Sequence, residues 1–350
     1  MLKLQIVRGP LDDQLSAAIL NGYTSLTTAT VTPANFHRWM EQSPEGPALH
    51  AILRTPEGAV AGHCCLFPFP MNIGGNRATV AKAEYFFVKE NYRKESVAGY
   101  ENSVKPAALL LLEQLYRCGR ELKWRPYLVS APAEVAPLHR MAGCRKISIT
   151  LTECLLTFRP FRAAADTPNL NTKQRVALAS VGALQCMVWA MRRKKSSGVR
   201  AVPPDAPISS REINSGFSLS SDRDFLTWRY TGDEYLRLQV EASQDLGVIA
   251  KKGSAHDYVR VCQSTLNPNE GKWHSVIRSL IAAAIEENAL GVRWAVYGQG
   301  ALEKRLITVL RKMAFLCVRR ERSIYAHSLD ATHLRPEALQ LEDSLFCFDS

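Results

Sequence analysis

From its N-terminus the chain alternates short apolar runs with amphipathic stretches. Residues 2–7 form an apolar run that predicts a strand, whereas 11–23 and 33–42 carry helical spacing. The second helix opens on Thr32, a good N-cap, with Pro33 at the first helical position. Residues 48–53, 59–69 and 77–88 then read as strands. They are separated by Pro56-Glu57-Gly58 and by Asn72-Ile73-Gly74-Gly75-Asn76, the latter a hairpin signal. A polar loop runs to Lys105, a Leu-rich helix follows from 106 to about 121, and 127–130 is a strand. A short helix over 133–141 ends at Gly143, and 144–158 supplies one or two closing strands. The order β-α-α-β-β-β-α-β-α-β packs most naturally as a mixed sheet flanked by helices, an α/β (α+β) fold.

Residues 206–330 repeat this order in outline. Segments 225–230, 235–242, 247–252 and 258–265 are followed by a helix over 272–288, a strand over 292–297, a helix over 302–313 and a strand over 316–322. Two local matches support a duplication. Phe36-x-x-Trp39 and Phe225-x-x-Trp228 each precede the first central strand, and Leu138-His139-Arg140-Met141-Ala142-Gly143-Cys144 parallels Leu310-Arg311-Lys312-Met313-Ala314-Phe315. The chain therefore divides into 1–160, a connector over 161–205, and 206–350. At 350 residues, two domains are also what length alone predicts.

The formal charge of +11 is unevenly spread. Between Arg159 and Arg200 nine basic residues face one acid, Asp166, a net of +8 that leaves both flanking blocks nearly neutral. Such a connector suits nucleic acid, anionic lipid or a phosphate-rich cofactor. Within it, residues 176–191 are apolar except for Ser180 and Gln185 and run directly into Arg192-Arg193-Lys194-Lys195. That is too short for a comfortable membrane span. Two roles remain open over 176–195: a buried bridging helix between the halves, or a peripheral helix on an anionic membrane.

Nine cysteines include no Cys-x-x-Cys pair, and most sit in apolar runs where Cys packs as a small hydrophobe. His63 beside Cys64 and Cys65 is better explained by core packing than by a metal, and no metal is expected. No secretory signal is visible at residues 1–8, so a reduced, cytoplasmic protein is expected. No Gly-x-Ser-x-Gly elbow is present, and Gly298-Gln299-Gly300 reads as a turn.

Candidate chemistry concentrates in 83–115. A strand ending at Val88 feeds a loop of small residues, and that loop leads to a helix N-terminus, which cradles anions through its free N–H groups and dipole. Here the chain resembles the GNAT superfamily of acyl-CoA N-acyltransferases. Arg93-x-x-Ser96-x-Ala98 stands where that family has Arg/Gln-x-x-Gly-x-Gly/Ala, with Ser replacing the middle Gly. Pro106 cannot lie inside a helix, so a second cradle is formed by Ser103 and Lys105 just before it. The resemblance extends to Leu138-His139-Arg140-Met141-Ala142-Gly143-Cys144, which matches the family's Leu-Tyr-x-x-x-Gly-Phe.

The resemblance implies two tandem GNAT-like domains, with acyl-CoA (acetyl-CoA or another) in the first and a degenerate second domain shaping the acceptor pocket. It implies cofactor contacts at Val88, Arg93, Ser96, Ala98, Gly99, Ser103 and Lys105, with His139 as the acid that protonates the departing thiolate. Glu84, a carboxylate in an apolar strand, is the candidate base, and strict alternation places it on the face of Phe86 and Val88. Tandem proteins of this kind resemble bacterial acyltransferases, which points to a small amine or amino sugar as acceptor. Two alternatives remain: a Fem-type aminoacyl transferase with tRNA on the basic connector, or a non-catalytic binding module.

Overall fold

The computed structural model describes residues 1–26, 31–73, 76–124, 127–129, 134–167, 170–192, 199–202, 217–219, 223–240, 247–253, 256–264, 273–297, 301–327 and 339–340. The expected turns at 74–75 and 298–300 lie outside these residues. The first half comprises β1 (Lys3–Arg8), α1 (Asp13–Thr24), α2 (Pro33–Glu41), β2 (Leu49–Arg54), β3 (Val60–Ile73) and β4 (Asn76–Val88). Then come α3 (Ala107–Glu121), β5 (Tyr127–Val129), α4 (Ala136–Met141) and β6 (Arg145–Thr157). The connector holds α5 (Pro160–Asp166), α6 (Thr172–Arg192) and β7 (Val199–Ala201), with β8 (Phe217–Leu219) after it. The second half comprises α7 (Arg223–Arg229), β9 (Tyr235–Val240), β10 (Gly247–Lys251), β11 (Val259–Ser264), α8 (Trp273–Glu286), β12 (Gly291–Tyr297), α9 (Ala301–Lys312), β13 (Leu316–His327) and β14 (Leu339–Gln340).

Local signals act as the sequence predicts. Asp12 caps α1 by accepting from the Leu15 amide at 2.7 Å, and the Thr32 hydroxyl accepts from Asn35 at 3.2 Å to cap α2. Pro106 is the N-cap of α3, because its ring excludes it from the helix interior. Residues 144–158 form one closing strand rather than two. Segment 225–230, the counterpart of Phe36-x-x-Trp39, is helical.

The strands form one sheet whose main path runs β1-β2-β3-β4-β5-β13-β6-β12-β11-β10-β9-β7. From β2 to β9 this order is palindromic under the duplication. β4 runs parallel to β5 as β11 does to β12, and the closing strands β6 and β13 meet antiparallel at the centre. Each closing strand also pairs with the other half: β13 with β5, and β6 with β12. The two halves have exchanged their last strands.

Helices α2 and α7 bury their Phe-x-x-Trp faces in one shared core. Phe36 and Phe225 are fully buried there, each contributing roughly 1.5–3 kcal/mol, and Trp228 stacks on Phe67. Arg229 lies 4.7 Å over the Trp39 ring, and Arg38 binds the Thr231 carbonyl, which ties the halves together. A second core lies under α3 and α4, and a third under α8 and α9.

Candidate active site

The site begins with an irregularity in β4. His63 pairs with Phe87 and Cys65 with Glu84, so Tyr85 and Phe86 together oppose Cys64. This is a β-bulge, and Tyr85 takes a left-handed φ of 51°. The bulge resets the alternation. Val80, Tyr85 and Phe87 belong to the core under α1 and α2, whereas Ala81, Ala83 and Val88 belong to the core under α3. Glu84, on the parity of Val80, is thereby on the opposite face from Val88, contrary to the expectation from strict alternation.

Two side chains of β3 take up the carbonyls freed at the bulge. His63 Nδ1 donates to the Tyr85 carbonyl at 3.0 Å, and Cys65 Sγ lies 3.5 Å from the Glu84 carbonyl. His63 Nε2 in turn accepts from His50 Nδ1 at 3.0 Å. With both ring nitrogens of His63 engaged, the pair is a hydrogen-bonded relay supporting the bulge. The nitrogens of His50 and His63 and the sulfur of Cys65 lie within 4.8 Å of one another. Burial holds the His50 ring well below its usual pKa and lowers His63 to about 4, so both are neutral near pH 7.

Among the described residues β4 and β5 pair at Ala81 with Tyr127 and at Lys82 with Leu128, and a cavity of about 590 Å³ is lined by the end of β4 and by Val129 of β5. Its lining brings together four of the expected site residues: Glu84, Val88, Arg93 and His139. The walls are otherwise largely apolar, from Tyr23 and Leu26 on one side to Val135 and Leu138 on the other. Glu84 is mostly buried and ion-paired with the buried Lys82 on the same face of the strand. A charged pair at i and i+2 in an apolar strand is a signal the sequence carries.

His139 is buried on α4, its ring edge-on to Phe86 and its Nδ1 2.9 Å from the Tyr116 hydroxyl. Burial lowers it to about 4, which makes it a neutral imidazole near pH 7. Nothing local marks Tyr116, which on α3 reads as one more apolar position.

The remaining expected contacts lie apart from the cavity lining. In the loop after β4 the Ala98 amide donates to the Leu2 carbonyl at 2.7 Å, and the Gly99 amide donates to the Glu101 carboxylate at 2.8 Å. Ser96 is exposed, and its carbonyl accepts from Leu2. The Ser103 hydroxyl accepts from the Lys105 amide at 3.1 Å, and Lys105 is paired with Glu113 at 2.7 Å. The N-terminus of α3, by contrast, opens on the cavity through Pro106 and Ala108. Pro106 contributes neither an N–H nor a capping side chain, and its carbonyl accepts from Leu109 and Leu110. The first amides of α3 thus receive no capping side chain from Pro106, and Arg93 lines the cavity together with Pro106 and Ala108. In the loop over 93–99, by contrast, the amides at 98 and 99 are engaged within the chain.

No protein-family model matches the chain, and no curated protein matches it in sequence. Solved structures do. A protein of Enterococcus faecalis V583 described as a candidate N-acyltransferase superposes with a TM-score of 0.55 at 10% identity, over 92% of this chain and 71% of that one. A GCN5-related N-acetyltransferase from Kribbella flavida gives 0.52 at 11% identity, over 92% and 71%. A candidate acetyltransferase from Pyrococcus horikoshii gives 0.51 at 11%, over 97% and 94%. The fold is therefore the GNAT fold, here in a double form.

Proposed function

We propose that the protein is an N-acyltransferase that moves an acyl group, with acetyl as the first candidate, from acyl-CoA to the amine of a small molecule or amino sugar. The observation that carries this is the cavity lined by the end of β4, where Glu84, Arg93, His139 and the start of α3 converge. The donor's pyrophosphate is held by the first amides of α3 and by Arg93. When bound, the donor supplies an activated thioester carbonyl.

An ammonium has no lone pair with which to attack, so the acceptor must first lose a proton. Glu84 takes it, directly or through one water, and Lys82 positions the carboxylate. His139, neutral and backed by Tyr116, presents its other nitrogen to the departing sulfur as a hydrogen-bond donor. The donor site lies in the first half of the chain, and the second half shapes the acceptor side.

Calorimetric titration with acetyl-CoA and with longer acyl-CoAs tests the donor. Heat with at least one of them is expected, and silence with all of them removes the CoA-dependent reading. Glu84→Gln is expected to lower kcat by roughly 100-fold or more while CoA affinity stays unchanged. Wild-type turnover in that variant would take Glu84 out of the base role.

A further inference from the structure

Helix α6 presents an unusual outer face. Its inner face is fixed by Gln185, whose amide donates to the Leu155 carbonyl at 2.7 Å and the Ala314 carbonyl at 3.0 Å while its oxygen accepts from Thr157. Gly182 packs against Pro160, where a Cβ would come within 2.6 Å. The polar residue in the middle of the apolar run is thus an inward clamp. The opposite face carries Val176, Val181, Leu184 and Met187, exposed by 61%, 36%, 58% and 57%. Only Ser180 interrupts these apolar positions, and no charge lies among them. A surface helix ordinarily turns charged residues outward.

The neighbouring helix extends the patch. Phe161 of α5 is 78% exposed and shares with Val176, Ala179 and Ala183 an apolar groove of about 530 Å³. In the sequence the cations flank this apolar stretch. Lys173 is exposed in the first turn of α6, where the helix dipole disfavours a cation, and Arg192 closes the last turn and leads in sequence to Arg193-Lys194-Lys195. Arg175 is otherwise employed, donating to the Ala164 and Ala165 carbonyls at the end of α5.

We infer that this face docks on an anionic membrane surface, with α6 lying in the plane of the interface. An uncharged apolar stripe flanked by cations matches the layering of acyl chains and acidic headgroups. The helix does not cross the bilayer: among the described residues no helix is long and apolar enough to do so. A second copy of this chain is the poorer partner, because two such stretches, each running in sequence into Arg192-Arg193-Lys194-Lys195, repel one another.

The test is cosedimentation of the full-length protein with vesicles of phosphatidylcholine alone and of phosphatidylcholine mixed with phosphatidylglycerol. Binding is expected only to the mixed vesicles, and it should weaken as salt rises. Leu184→Ser with Met187→Ser is expected to lower the partition coefficient about tenfold. Combining Arg192→Gln, Arg193→Gln, Lys194→Gln and Lys195→Gln should cost about a hundredfold or more, since each of the four cations near the surface contributes roughly fivefold. Both variants should keep the wild-type Tm. No binding to either vesicle, equal binding to both at all salt concentrations, or variants that bind like wild type would overturn the inference. A fall in Tm for Leu184→Ser with Met187→Ser would show the face packed within the fold. A vesicle-free dimer abolished by that variant would show a self-interface. Either result also overturns it.

Discussion

Gly143 and Ala314 occupy equivalent turns, yet only one is the residue the backbone calls for. Each ends a helix in the left-handed region, at φ 95° and 70°, and the following amide in each turns back to the helix: Cys144 to His139 at 2.9 Å and Phe315 to Leu310 at 3.0 Å. Gly143→Ala is expected to cost about 1–3 kcal/mol, since it adds backbone strain to a Cβ only 3.0 Å from His327. Ala314→Gly should be neutral or stabilising by up to about 1 kcal/mol. Urea denaturation of both variants checks the pair, and equal shifts would contradict it. The buried imidazoles set a second expectation. His63 and His139 stay neutral in the fold down to about pH 4, whereas unfolded imidazoles protonate near 6.5. Their contribution is complete above about pH 6.5 and is lost as pH falls toward 4, by up to about 1.4 kcal/mol per pH unit for each ring. Stability measured from pH 7.5 to 4.5 should fall over this window, and a flat profile would show that the rings are not held neutral.

Among the elements, α3 and β4 do most to make the site. The start of α3 was legible because proline cannot continue a helix backwards, and Pro106 is indeed its cap. The same residue leaves the first amides unsatisfied by any side chain. Pro106→Asp would supply the missing acceptor and, at a helix N-terminus, should leave Tm unchanged or raised. Because its carboxylate would then occupy the proposed pyrophosphate seat, acyl-CoA affinity should drop about tenfold or more. Thermal melts with calorimetry test both halves of this expectation, and unaltered affinity would move the pyrophosphate elsewhere. The β4 bulge was not legible. Its existence depends on which residues of β3 lie opposite, and Tyr85-Phe86-Phe87 has the composition of an ordinary strand.

At the scale of the whole molecule, the exchange of closing strands is the dominant feature. β6 pairs along its length with β13, from Arg145 opposite Ala326 to Leu155 opposite Leu316, and on its other edge with β12. In a chain of residues 1–160 alone, β5 would lose its β13 partner and β6 would lose both neighbours. Such a fragment is expected to aggregate or to dimerise through these edges. Light scattering on the purified fragment decides the point. A monomer that melts cooperatively would show that each half closes its own sheet.

By itself the sequence determined the order of elements, the duplication and the region of the candidate site, because hydrophobic period, caps and proline are local properties read within a turn or a strand. It also placed the excess charge at residues 159–200. Tertiary structure alone decided that Tyr116 stands behind His139, that two histidines brace the bulge, and that the amides of Ala98 and Gly99 are engaged while the end of α3 is open. It alone turned Gln185 inward and the apolar stripe of α6 outward. Each of these depends on the register between segments far apart in the chain, and register is fixed by packing rather than by any local pattern.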